Sequence, residues 1–398
     1  TKLFKLCKIW GYLKYKHPEI TSNNLDWDAT LFTYIGLTGQ SNFEALLYEE
    51  LPLLESQSLE TNTSSTPSWI SSDTLFSNEI QHYLTSLSAY QLLEQQQYLQ
   101  PGRWNITPNF KENKYPNISY DDDGVKLLAL FRYWNIIEYF FPYKDLMDED
   151  WDKVLMEYIP RILATTGELE YKLLLLELVC KINDGHGGIH NDVSLTEYLG
   201  EKQIPIGLKI TDGQAFVNRL FDSATSVKVG DKILAINGEA ISTLFAVKRP
   251  YVPASTQAAK GRILSEYILR TNQDTAQVKL LRNQQELDLM LPTKKYNPLQ
   301  YVQRDIPSNR EISEEIAYIY PGALKPGELQ SLLAKYKNKA SIIFDYRSYP
   351  TVNIQNILPN FRLPVPQYAF KSKQYRKDKL GEFPFSQDYK WGEVNESY

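Results

Sequence analysis

Lys228-Val229-Gly230-Asp231-Lys232-Ile233-Leu234-Ala235-Ile236-Asn237-Gly238 reads as turn, strand, turn. Val229-Gly230-Asp231 makes a tight lead-in to a strand over 232–236, and Asn237-Gly238 supplies the positive backbone angles of a type I′ turn. Short strands of the same kind extend in both directions, at 206–210, 214–220, 278–282 and 286–291, with turn residues between them. A helix over about 257–270 interrupts them. This order predicts a partly open β-barrel over 199–296, in which one strand and one helix line a groove for an extended peptide that adds itself to the sheet edge.

Downstream, 297–398 opens with a polar crossover and continues as an apolar strand over 316–320, a helix over 327–336 and a strand over 341–345. Strand, helix, strand is the start of a βαβ unit.

Upstream, a constant shift of 124 positions superposes two helical segments. Leu3, Leu6, Trp10, Leu13, His17 and Pro18 fall on Leu127, Leu130, Trp134, Ile137, Phe141 and Pro142. Steps of three and four put each set on one helical face, and proline ends it. Asp26-Trp27-Asp28, Leu31, Tyr34 and Ile35 meet Asp150-Trp151-Asp152, Leu155, Tyr158 and Ile159, which gives a second helix with acids in its first turn. A third is expected to start at capping boxes, Ser41 with Glu44 and Thr165 with Glu168. The expected modules are 1–54 and 123–198, joined by a polar connection over 55–122 that holds one helix over 88–99. Asp121-Asp122-Asp123 reads as a solvated charge run at a helix start.

Composition fits this mixed architecture: of 398 residues 42% are hydrophobic, 23% charged and 13% aromatic, an ordinary folded chain rich in tyrosine. A net charge of −5 provides no basic face for a phosphate backbone, so the expected partners are peptides or small molecules and not nucleic acid. Cys7 and Cys180 both sit in amphipathic helical patterns and read as small buried hydrophobes. No apolar run approaches the roughly 20 residues that span a bilayer, since even 173–179 is broken by Glu177. The sections of a signal peptide are not evident at the start of the chain.

The repeat has one exception. Asn183-Asp184-Gly185-His186-Gly187-Gly188 follows the last helix of the second copy, and Asp184 and His186 map onto Glu60 and Asn62 of the first. A histidine between glycines is open to a ligand, as a proton-handling residue at the lip of a cleft would be. The alternative is a helix-ending glycine turn with an incidental histidine. His186 and His190 have the spacing of a helical metal pair, but Gly187 and Gly188 oppose a helix there and no third ligand is evident. No metal or cofactor is expected.

The segment 228–238 resembles the signature of PDZ domains. Helical scaffold, Asp-Gly-His turn, PDZ-like module and a strand ending in Asp-x-Arg follow the order of the tail-specific, or C-terminal processing, serine peptidases, including their tricorn-like branch. Trp10 to Pro18 and Phe131 to Pro142 resemble the N-terminal region of members from Bacteroidetes. The resemblance implies a multidomain α+β fold whose 297–398 portion begins a ClpP/crotonase-like α/β catalytic core. It also implies that Asp345-Tyr346-Arg347-Ser348-Tyr349-Pro350 helps to form the oxyanion hole through backbone amides, at Arg347 and Ser348. The glycines expected near Ser348 and after Pro350 are absent, and a simple Asp345 to Arg347 ion pair at a strand end is the other reading.

In tricorn-like relatives the base is a histidine of the helical region, which points to His186, with Asp184 orienting it or capping the helix. Gly187 stands where Ser or Thr usually follows. The peptide-binding strand would be Ile206-Gly207-Leu208-Lys209-Ile210, preceded by a loop whose free amides hold a carboxylate; the usual Gly-Leu-Gly-Phe is reduced to Gly207-Leu208, and an ordinary buried strand is the alternative. Nothing in the chain matches the family's nucleophilic serine or a Gly-x-Ser-x-Gly elbow. The expectation is therefore the N-terminal portion of a serine-type peptidase, inert alone; the resemblance implies that it acts outside the cytoplasm, as a periplasmic or secreted protein with or without a lipid anchor. The alternative is a non-catalytic peptide-binding scaffold.

Overall fold

The computed structural model describes residues 1–22, 25–54, 66–71, 75–90, 96–100, 102, 107–115, 119–222, 226–298, 306–348 and 350–352, with short pieces at 367–368, 373, 376, 379–385 and 390–391. The chain forms two compact units, Thr1–Leu195 with Pro250–Gln257 and Ser372–Ser386, and Thr196–Arg249 with Ala258–Lys371 and Gln387–Tyr398. Among the described residues no helix is long and apolar enough to cross a membrane.

The first unit is helical: α1 (Lys2–Lys16), α2 (Pro18–Ser22), α3 (Trp27–Leu37), α4 (Phe43–Glu50), α5 (Asn78–Ser86), α6 (Asp123–Phe140), α7 (Trp151–Leu163) and α8 (Glu168–Cys180), with α9 (Val193–Leu199) beginning at its end. Two short strands, β1 (Leu99–Gln100) and β2 (Asn109–Phe110), pair antiparallel. The duplicated sequence gives duplicated geometry. Asp26 and Asp150 each cap the following helix, accepting from Ala29 N at 3.2 Å and Lys153 N at 2.9 Å. In the first copy Trp10 Nε1 donates to Trp27 O at 2.9 Å and Trp27 Nε1 to Trp10 O at 3.0 Å. The second copy repeats this, with Trp134 to Trp151 O at 2.8 Å and Trp151 to Trp134 O at 3.0 Å. Each pair of indoles is thus buried with both N–H groups satisfied, which removes the desolvation cost of the polar edge.

Contacts between the copies are reciprocal. Lys8 of α1 pairs with Asp152 at 2.6 Å, and Arg132, its counterpart in α6, pairs with Asp28, the counterpart of Asp152. Gly11 and Asn135 occupy equivalent positions and face each other: a Cβ on Gly11 would overlap the Asn135 amide. Asn135 Nδ2 donates instead to Cys7 O at 3.1 Å and Phe131 O at 2.9 Å. This reciprocity is what a two-fold relation between the copies produces, and one apolar core draws on both.

Symmetry fails where the sequences do. Lys14, equivalent to Glu138, is fully buried, 2.6 Å from Glu112 and 3.8 Å from Asp28. Burial lowers its pKa below the usual lysine range, against the pull of Glu112 and Asp28. The expected capping boxes do not form. Residues Asn42 and Gly167 take the cap positions, while Glu44 binds Lys5 and the Ser77 N–H and Glu168 binds Lys172 and Ser194. Tertiary partners outcompete the local turn. Asp122 does cap α6, accepting from Val125 N at 3.1 Å. The helix expected over 88–99 is replaced at its described ends by a 3₁₀ turn, Leu87–Ala89, and by β1, with 91–95 outside the described residues; Glu60 and Asn62 lie outside them too.

The second unit carries β3 (Lys202–Gln203), β4 (Ile206–Thr211), β5 (Gln214–Leu220), β6 (Lys232–Ile236), β7 (Glu239–Ala240), β8 (Arg270–Thr271), β9 (Thr275–Arg282), β10 (Gln285–Pro292) and β11 (Lys294–Lys295), with α10 (Ile241–Lys248) and most of α11 (Gln257–Tyr267). The main sheet has the order β10-β9-β6-β5-β4, with β7 on β6; every pair is antiparallel and the sheet does not close into a barrel. Three two-residue turns set the register. Asp212-Gly213, Asn237-Gly238 and Asn283-Gln284 all have positive φ at both positions, as type I′ requires.

Asp231, from the opening motif, is structural: its carboxylate accepts from Arg282 Nε at 2.8 Å, Arg282 Nη2 at 2.6 Å and Lys228 N at 2.7 Å. Arg282 holds it below the usual carboxylate range. Asp231→Ala should cost about 2 kcal/mol by stranding the guanidinium. A calorimetric midpoint equal to that of the parent would contradict this.

Farther along the chain, β12 (Asn309–Glu311) pairs antiparallel with β13 (Ile316–Ile319), and β13 pairs parallel with β14 (Ser341–Phe344) through the crossover helix α12 (Glu328–Tyr336). Ala317, Ile319, Leu329, Leu332, Leu333 and Tyr336 form its apolar core. Most of 353–398 lies outside the described residues.

Candidate functional site

The His186 turn is built by the end of α8. Asn183, three residues past the end of α8, takes a left-handed φ of 54°, and Asp184 Oδ1 then accepts the His186 N–H at 2.9 Å. The same oxygen lies 3.0 Å from His186 Nδ1, and the Gly187 N–H donates to Asp184 O at 3.0 Å. Asp184 therefore closes the turn and orients the ring at once. The imidazole is 99% exposed. With the proton on Nδ1, shared with Asp184, Nε2 presents a lone pair outward, the arrangement a general base needs. No helix runs through 183–190, so the His186 and His190 spacing does not place them on one face.

The loop after this turn is tied down. Lys172 pairs with Glu168 at 2.5 Å and Asp192 at 2.7 Å, and Ser194 Oγ donates to Glu168 at 2.8 Å. Beneath it Leu176, Cys180 and Leu195 pack with Ile189. Nothing in the spacing of Lys172 and Asp192 announces this clamp, because its members meet only through tertiary structure.

Residues 206–210 fall on β4, which ends the main sheet and has no strand on its outer side among the described residues. Ile206, Gly207 and Leu208 are buried, Lys209 is exposed and Ile210 is half-buried. The β4–β5 hairpin closes with Thr211 opposite Gln214, so ladder alternation makes Thr211 and Lys209 the hydrogen-bonded positions. Leu208 and Ile210 then turn their N–H and C=O groups to the open edge. Gly261 of α11 sits against Ile210, a Cβ there lying 4.0 Å from the isoleucine Cβ. Gly207 fits the close approach of β5: a side chain would meet Asn218 Oδ1 at 3.0 Å and Arg219 Cβ at 3.1 Å. The loop before the strand is less available than the sequence suggests. The Ile204 N–H donates to Leu269 O at 3.0 Å, the Ile206 N–H to Ile204 O at 2.8 Å, and Pro205 has none. One donor is taken by Leu269 and the other closes the local turn, so neither is left for a carboxylate nest.

At the end of β14, Asp345 accepts from Tyr318 Oη at 2.5 Å and from Arg347 N at 3.0 Å, Nε at 2.8 Å and Nη2 at 2.6 Å. The Arg347 side chain places its pKa well below the usual carboxylate range. Both the guanidinium and the backbone N–H of Arg347 are thus engaged. Ser348 is 7% exposed and its hydroxyl has no hydrogen-bond partner among the described residues. Tyr349 lies outside them. Tyr318, which completes the Asp345 shell, was not singled out from sequence, although strand alternation puts it level with that end of the sheet.

No family profile matches the chain, and no curated protein matches it. Solved structures to which it is similar include mature CPAF complexed with lactacystin, at a TM-score of 0.40 and 12% identity over 55% of each chain. Mature CPAF alone gives 0.39 and 12%, over 55% of this chain and 54% of that one. A serine-to-alanine mutant of CPAF gives 0.43 and 12%, over 58% of each. The chain spans a little over half the length of these structures. Superpositions this loose leave activity to be argued from the residues themselves.

Proposed function

We propose that the chain is the N-terminal portion of a serine-type peptidase of the tail-specific kind. An extended polypeptide adds to the open edge of β4, and His186, oriented by Asp184, accepts the proton of a serine supplied outside these 398 residues. The observation that carries the reading is the outer edge of β4 beside α11, which no strand pairs among the described residues, with the Leu208 and Ile210 backbone directed to it. Because the Ile204 and Ile206 donors of the preceding loop are already engaged, strand pairing supplies the grip.

An extended peptide titrated into the chain should shift the amide resonances of Leu208 and Ile210, and Gly261→Phe, which fills the space over Ile210, should suppress those shifts while the protein stays folded. Shifts that avoid β4, or that survive in Gly261→Phe, would remove the proposed grip. In the longer protein that carries the serine, His186→Ala should lose turnover and keep peptide binding. The engagement of the Arg347 N–H by Asp345 favours a second reading, a peptide-binding scaffold without catalysis. Intact binding by a longer protein that hydrolyses no polypeptide selects the scaffold.

A further inference from the structure

Backbone pairing alone would grip any extended chain, and selectivity has to come from side chains that face the added strand. Antiparallel addition, the sense of every pair in the main sheet, bonds a peptide to Leu208 and Ile210 and sets one of its residues directly opposite Lys209. On that edge Lys209 is a non-hydrogen-bonded position, where facing residues approach most closely, with Cα atoms about 4.5 Å apart. The peptide side chain there shares a face with Lys209.

The ladder shows what that face carries. Leu208 pairs with Val217, and Ile210 with Ala215 and through it Ile233, which makes theirs the apolar side of the sheet. Lys209 pairs with Phe216, and Phe216 with Lys232, so the other side presents lysine, ring and lysine in a row. Among the described residues neither lysine has an ion-pair partner. Asp212, the nearest acid along the chain from Lys209, stands in the hairpin turn.

We infer that β4 selects an extended segment with an acidic residue between two apolar ones, the acid opposite Lys209 and the apolar side chains on the side of Leu208 and Ile210. This rests on the reading of β4 as a peptide-binding edge and gives that edge a substrate class. A second copy of the chain is the wrong occupant, because antiparallel pairing of two β4 strands centred on residue 209 would set lysine against lysine.

The test titrates short peptides, capped at both ends, with valine on each side of a central glutamate, glutamine or lysine, and reads the Leu208 and Ile210 amide resonances. Only the central residue differs. Glutamate should bind about fivefold more tightly than lysine, with glutamine between, since an attractive cross-strand pair replaces a repulsive one. Salt at about 0.5 M should erase most of that difference. Lys209→Glu should reverse the order and Lys209→Gln should level it, both at an exposed side chain whose replacement leaves the core intact. Equal binding of all three peptides at β4, or an order that Lys209→Glu leaves unchanged, overturns the inference while the β4 reading stands. Resonances that do not move with any of the peptides at millimolar concentration remove that reading, and this inference with it.

Discussion

Gly11→Ala should destabilise the helical unit by about 3 kcal/mol, although the same change in an ordinary helix interior stabilises by roughly 1 kcal/mol. The sign reverses because the added methyl group overlaps the Asn135 amide, which cannot yield cheaply. Asn135 is fully buried and held by bonds to Cys7 O at 3.1 Å and Phe131 O at 2.9 Å. Expelling it breaks both bonds and strands a buried carbonyl. The midpoint of the unit should fall by roughly 6–12 °C. In an Asn135→Ala background the same Gly11→Ala change should be neutral or stabilising, which makes the pair strongly non-additive. Additive effects in the double-mutant cycle would show that the two positions do not interlock.

Acid should cost the unit roughly 3 kcal/mol through His17 alone. His17 is fully buried, and Tyr83 stacks on it at 6.4 Å. Burial lowers its pKa from 6.5 to about 4, the Pro52 carbonyl pulling weakly the other way. Above pH 6.5 the ring is neutral both folded and unfolded and contributes nothing to the pH dependence. Between 6.5 and about 4 only the unfolded chain takes up the proton, so stability falls as pH falls, by up to about 1.4 kcal/mol per pH unit. Below about 4 both states carry it and the loss is complete. The second copy has Phe141 at this position, so His17→Phe is the natural control. Urea unfolding of both proteins between pH 7 and 4 should show the parent losing stability more steeply. Parallel curves would dispose of the idea.

Both effects arise from contacts that no local pattern announces. The helices of 1–195 were readable because Trp10, Trp134 and their neighbours repeat at helical spacing, and the strands of 206–291 because Asn237-Gly238 and its flanking alternation fix a hairpin. What the repeat could not disclose is how its copies meet, since Lys8 reaches Asp152 across 144 positions of chain. The capping boxes failed for the same reason: Glu44 and Glu168 found stronger partners far away. At the candidate sites, the Asp184 and His186 bond spans two residues and was within reach of sequence. Engagement of the Ile204 and Ile206 amides depends on Leu269 and on the turn at Pro205. Asp345 and Arg347 form an ion pair at the strand end.

Two identical chains related by a dyad must place the same residue against itself where they cross. Two asparagines at that crossing would collide, and two glycines would leave a void. A single polypeptide holding both halves escapes that constraint and can set a small residue opposite a large one, as Gly11 and Asn135 do. Covalent fusion thus permits a tighter seam than self-association could reach, and it leaves each half free to diverge: the glycine-flanked imidazole is carried by one of them alone.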